Sequence, residues 1–157
     1  MKKNSDPFFT IKKKMNKPSD QKSILNGFHL KELLNIKDGY NCRFNLSATP
    51  YSYQSEKQKK ELYKKIIQNE IKRRKLDKKY KKKFSNCELE LQIIYYLGSK
   101  YNKSDLDNFT KILQDQIKNR IFGDDSKIKR LVLIKEFIPK TKFRRLFEQS
   151  IIKIKRL

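Results

Sequence analysis

The chain reads as an α+β protein: about four strands in one mixed sheet, two principal helices packed on it, and a basic N-terminal extension. Three observations lead there. Apolar and polar residues alternate with a period of two in several stretches, apolar residues recur at three and four residues in others, and the segments follow one another as β, α, β, α, β, β. No internal repeat interrupts that order. A chain of 157 residues suits one domain with an appendage.

The appendage is residues 1–40. Residues 1–23 are Lys, Asn, Ser, Asp and Pro with isolated Phe8, Phe9 and Ile11, too few apolar groups to offset the entropy of ordering, so a partly disordered basic arm is expected. Ile24, Leu25, Phe28, Leu30, Leu33, Leu34 and Ile36 then form a short helix-like pattern ended by Asp38-Gly39. Capping the core, dimerising and gripping a DNA-bound partner all fit that helix; capping is favoured, with His29 incidental.

The domain proper, 41–157, opens with Cys42, Phe44, Leu46 and Ala48 alternating with Arg43, Asn45 and Ser47, a half-buried strand. Pro50 stops regular pairing, and the flanking Tyr51 and Tyr53 offer rings to unpaired bases. A long helix is expected over about Ser55–Lys75, capped by Ser55, with Leu62, Tyr63, Ile66, Ile67 and Ile71 on one face. Its end merges into the run KRRKLDKKYKKK, 72–83, where Asp77 is the only acid.

Cys87 to Leu97 alternates as a strand and points at a loop, Gly98–Ser104. Ile128 to Phe137 is apolar on both parities, which predicts a central strand covered on both faces. Pro139 opens a basic loop through Arg145, and a last strand near Phe147–Arg156 alternates Ile152 and Ile154 with Lys153 and Lys155.

Charge narrows the function. Lys and Arg number 40 against 17 Asp and Glu, a formal net charge of +23, so the chain repels itself and a polyanion would relieve the strain. Nucleic acid is the expected partner, with binding that weakens steeply as salt rises. Phosphate contact is assigned to Lys72, Arg73, Arg74, Lys75, Lys78, Lys79, Lys81, Lys82 and Lys83, and to Lys140, Lys142, Arg144 and Arg145 of the later loop. No apolar run approaches a spanning helix and no secretory leader is evident, so no membrane partner is expected and the chain reads as cytoplasmic. Cys42 and Cys87 lie far apart with a single histidine in the chain, which argues against zinc and for buried thiols.

Against this basic background, five of the few acids fall within Lys103–Asp125, KSDLDNFTKILQDQIKNRIFGDD. Asp105 and Asp107, two apart, share a side only in extended backbone. From Asp107 onward Phe109, Ile112, Leu113, Ile117 and Ile121 mark the buried face of a helix, with Asp107 as its expected cap. Asp107, Lys111 and Asp115 then share one helix edge. Gly123 ends the helix by tolerating positive φ, and Asp124 and Asp125 follow. We expect Asp105, Asp107 and Asp125 at one end of the sheet beside Lys111, where crowded carboxylates would invite a hard divalent cation.

This pattern, Asp105-Leu-Asp107-Asn108 with Lys111, then Asp115, then Gly123-Asp124-Asp125, resembles the RusA family of Holliday-junction resolvases. The motif covers about 103–128, and compatible element order extends the likeness to roughly 41–157. The resemblance implies that Asp105, Asp107, Lys111 and Asp125 are catalytic and that the three aspartates hold Mg2+, with Mn2+ as the usual substitute and Asn108, Asp115 and Asp124 in support. It implies a homodimer that nicks opposed strands of a four-way DNA junction, leaving 5′-phosphate and 3′-hydroxyl ends, without an organic cofactor. It also implies a place in recombination and repair, in a bacterial or phage setting associated with the nucleoid. The family's proline-containing turn after the first strand is present at Pro50 without the asparagine that often follows it.

Two other readings fit the same residues. One is a nuclease of the same fold acting on flaps or other branched DNA. The other is a non-catalytic basic nucleic-acid-binding protein whose acids serve only as caps and turns.

Overall fold

A computed structural model describes residues 39–52, 54–101, 104–138 and 148–157. The expectations for residues 1–38, Tyr53 and the basic loop holding Lys140, Lys142, Arg144 and Arg145 fall outside the described residues.

The elements are β1 (Cys42–Leu46), α1 (Lys57–Arg73), α2 (Leu76–Phe84), β2 (Leu89–Gly98), α3 (Leu106–Ile117), β3 (Ile128–Ile138) and β4 (Gln149–Arg156). A π-helical turn, Lys118–Phe122, and a short 3-10 turn, Asp125–Lys127, join α3 to β3. The four strands form one mixed sheet in the order β1-β4-β2-β3. β4 lies antiparallel to both neighbours, with Ile154 opposite Cys42 on one side and Leu91 on the other. β2 and β3 run parallel, with Leu91 opposite Leu131. Parallel neighbours need a crossover, and α3 is that crossover. The α+β class and the mixed four-stranded sheet are as expected.

One face of the sheet carries Phe44, Leu91, Ile93, Tyr95, Ile152 and Ile154, which meet Tyr63, Ile67 and Ile71 of α1 and Phe109, Ile112, Leu113 and Ile117 of α3 in a single buried cluster. Each such side chain taken out of water contributes about 1.5–3 kcal/mol before ordering costs. Cys42 lies in this cluster, where burial pushes its thiol up to about 12.

Four local expectations are corrected. The basic run 72–83 contains a third helix. Arg74 closes α1 by donating its amide to Glu70 O at 3.1 Å, Lys75 then takes φ 55°, and α2 starts on a new axis. Leu76, Tyr80 and Phe84, four residues apart and buried, hold α2 to the core. Among so many lysines those three positions carry the periodicity. Next, Ser55 does not cap α1, because the residue before its first turn is Glu56, which makes no side-chain cap bond. Asp105 rather than Asp107 caps α3, in extended backbone (φ −77°, ψ 126°). Last, β3 is an edge strand and not a central one: β4 returns between β1 and β2, and β3 keeps only β2 as a neighbour among the described strands. Its Leu131 and Phe137 stay 41% and 48% exposed.

Candidate active site

The loop after β2 is tied down before the acids begin. The Tyr101 ring meets Phe109 edge-on at 5.7 Å, and Tyr95 OH lies 3.1 Å from Thr110 Oγ1, which also donates to Leu106 O at 2.9 Å. From β3, Lys135 Nζ donates to Ser104 O at 2.6 Å and Tyr101 O at 3.4 Å. These contacts pin the start of α3 from two strands. Asp105 Oδ1 then accepts the Asp107 amide at 3.4 Å. A carboxylate here is also favoured by the positive end of the helix dipole.

Asp105 and Asp107 are both exposed, close together at the carboxyl end of β2. Lys111 and Asp115 follow on the exposed edge of α3, four and eight residues beyond Asp107, while Phe109, Ile112, Leu113 and Ile117 face the core. Asn108 is half-buried.

The other end of α3 is a separate cluster. Lys118 Nζ donates to Asp125 Oδ2 at 2.9 Å and lies 3.7 Å from Asp115 Oδ1. The Asp125 hydrogen bond, followed by the charge beside it, raises the Lys118 ammonium above its ordinary value. Asp125 Oδ1 is buried without a hydrogen-bond partner. Asp124 accepts the Ser126 amide at 2.8 Å, which holds its carboxyl below the usual range. Gly123, at φ 91°, donates its amide to Lys118 O at 2.6 Å and closes the π turn, ending the helical run as expected.

The two clusters do not meet within a chain. α3 has 12 residues and is about 18 Å long at its ordinary rise. Asp105 precedes its first turn, and Asp125 is held just past its last. An Mg2+ ion reaches oxygens at about 2.1 Å, so one ion cannot bridge these carboxylates inside a subunit. The expectation of three aspartates at one end of the sheet is therefore corrected: Asp105 and Asp107 stand at the start of α3, whereas Asp125 is held with Asp115 around Lys118 toward its other end. Among the described residues no group of three His, Cys, Asp or Glu side chains is placed to hold a metal ion.

Lys135 was missed by sequence reasoning. Only its parity, the same as Leu133 and Phe137, hinted that it points to the helix side of β3.

The basic residues divide by partner. Arg73 Nη2 pairs with Glu70 at 2.7 Å, while Arg74 bonds Glu70 through Nε and donates from Nη2 to Asn45 Oδ1 at 2.7 Å. Lys72, Lys75, Lys78, Lys79, Lys81, Lys82 and Lys83 lie along the outer side of this segment, away from the buried Leu76, Tyr80 and Phe84. Among the described residues no helix is long and apolar enough to cross a membrane.

No curated protein matches the chain at a significant level. A family model, Endodeoxyribonuclease RusA, matches residues 41–144, more than half of the 157. That span holds β1 through β3, both acidic clusters and Lys111. The chain belongs to the RusA family of Holliday-junction-resolving endodeoxyribonucleases.

Proposed function

We propose that two copies of this chain join into a Mg2+-dependent enzyme that resolves four-way DNA junctions by paired, symmetric nicks in recombination and repair. In each site Asp105 and Asp107 come from one copy and Asp125 from the other. The observation that carries this reading is the division of the family's acids between the two ends of α3.

The exposed edge of β3 supports it. Two β3 strands paired antiparallel about Leu133 would set the Ile128 end of one against the Ile138 end of the other. Asp125 precedes Ile128, and the Lys135 contact ties Ser104 to the far half of the same strand. The two-fold axis would thus carry Asp125 of each copy toward the Asp105 turn of the other, and place Arg130 opposite Glu136. Leu131 and Phe137 would leave water in the process. A C2 pair holds two sites, as paired cuts require.

Asp105 and Asp107 of one copy with Asp125 of the other would hold the metal, which would acidify a water and polarise the phosphate. The chain supplies the rest. Asp105 is oriented by its cap bond, the Lys135 contact fixes the turn before it, and Lys111, one turn beyond Asp107, presents an ammonium to the charge that builds on the phosphoryl oxygens. Exposed lysines of α2 hold the junction arms by their phosphates and carry little sequence information.

The test compares a mobile four-way junction, a flap and a linear duplex as substrates, with and without Mg2+. Metal-dependent cleavage favouring the junction, lost in Asp107→Asn, is the expected result. Equal cutting of flap and junction would leave a branched-DNA nuclease, and an absence of nicking on all three would leave only a binding protein.

A further inference from the structure

α1, α2 and the end of α3 enclose a groove of about 530 Å3, a size that takes a small ligand. Its lining mixes two chemistries. Lys78 and Lys81 of α2 and Arg120 of the π turn bring positive charge, and Gln68, Gln116 and Asn119 bring carboxamides. Gln68 Nε2 donates to Gln116 Oε1 at 2.7 Å, which fixes these two amides against each other. That bond uses one of two donors on Gln68 and one of two lone pairs on Gln116.

The π turn explains why Asn119 and Arg120 face α2. It inserts one residue into the helical repeat and so rotates the residues after it, and Ile121 and Phe122 are buried so that the turn is anchored. Turns of this kind recur at functional sites because they re-aim side chains at some cost in regularity.

We infer that this groove takes one nucleotide of an unpaired DNA strand, its phosphate on Lys78, Lys81 and Arg120 and its base edge on the Gln116 and Asn119 carboxamides. The inference rests on the proposed action on branched DNA, since such a substrate exposes unpaired nucleotides where its arms part. Asp77 lies in the same lining; it would repel a bare phosphate yet accept from the exocyclic amine of a base. A duplex turns its base edges into its own grooves, where this lining cannot meet them. Asn119 and Arg120 follow directly on Lys118, so the groove borders the Asp125 cluster.

The experiment measures binding of the full chain, in EDTA, to a labelled single-stranded oligonucleotide, the same strand with abasic sites, and a blunt duplex. Asn119→Ala and Arg120→Gln should each weaken single-strand binding about five- to tenfold and leave the duplex within roughly twofold. On the abasic strand the Asn119→Ala effect should vanish and the Arg120→Gln effect persist. Unchanged single-strand binding in both variants, or equal losses on strand and duplex, would overturn the site. Persistence of the Asn119→Ala loss on the abasic strand would overturn the base contact. Because no cleavage enters the measurement, failure of the nuclease reading does not move it, and an enzyme that cuts junctions while both variants bind normally removes the groove alone.

Discussion

Lys118 donates to Asp125 at 2.9 Å from just beyond the last residue of α3, whereas Asp105 accepts the Asp107 amide at that helix's first turn. If each site draws on both copies, a mixture of variants should recover what neither has alone. In a hetero-pair of Asp107→Asn and Asp125→Asn chains, one site carries both lesions and the other carries none. An equal mixture, co-refolded, should therefore regain about a quarter of the wild-type sites and yield nicked rather than resolved junctions. Separate homodimers should be inactive. A mixture as inactive as its parents would mean that no site spans two copies.

The second prediction concerns α2. Tyr80 and Phe84 stack with ring centroids 5.4 Å apart on the buried side of a segment rich in lysine. Phe84 is 1% exposed, so Phe84→Ala should cost about 3–5 kcal/mol in urea unfolding. Lys82→Ser, on the exposed side, should stay within about 0.5 kcal/mol. Equal, small effects would mean that α2 is not docked.

The contrast between these residues and β3 shows where sequence was sufficient. Alternation in Cys42–Ala48 and Cys87–Leu97, and the three-and-four spacing from Phe109 to Ile121, mark the residues turned to the core, and β1, β2 and α3 form within those stretches. β3 is apolar on both parities yet lies at an edge, where Leu131 and Phe137 remain exposed, a distinction composition cannot make. Lys75, in left-handed backbone, looks like any other lysine of its run, so the break between α1 and α2 is invisible there. The separation of Asp105 from Asp125 was legible in principle, because a helix of 12 residues carries the chain away from its start. Spacing along the motif identifies the residue types and says nothing of how far apart the fold sets them.

Glu90 gives a pH prediction. It is buried on β2 and accepts from Tyr40 OH and, at 2.9 Å, from Arg130 Nη1, with Lys155 Nζ at 3.6 Å. The Tyr40 hydrogen bond and then these cations hold its carboxyl below the ordinary value despite burial. A carboxyl depressed on folding adds stability at pH values above its unfolded value, and that contribution is lost as pH falls through the folded one. Glu90→Gln should thus cost about 1–3 kcal/mol near neutrality, and the gap to wild type should close as the solution is acidified below pH ~4.5. A gap independent of pH in denaturant titrations would show that packing, not charge, makes the difference.

The final prediction separates lysines that meet phosphate from arginines already engaged within the fold. Lys79, Lys81 and Lys82 are exposed along α2, while Arg73 is paired with Glu70 by two hydrogen bonds of 2.7 and 3.0 Å. Removing one lysine–phosphate pair should take about 0.9 from the slope of log affinity against log salt. Reversing Lys79, Lys81 and Lys82 to Glu should therefore lower junction affinity and flatten that slope by roughly 2–3. Arg73→Gln should change it by less than one such pair, because its guanidinium must first leave Glu70 to reach DNA. Anisotropy titrations across a salt series give both slopes. A triple reversal that leaves the slope untouched would place the junction arms on some surface other than α2, and the groove between α2 and the π turn would then have to hold its strand without support from the neighbouring lysines.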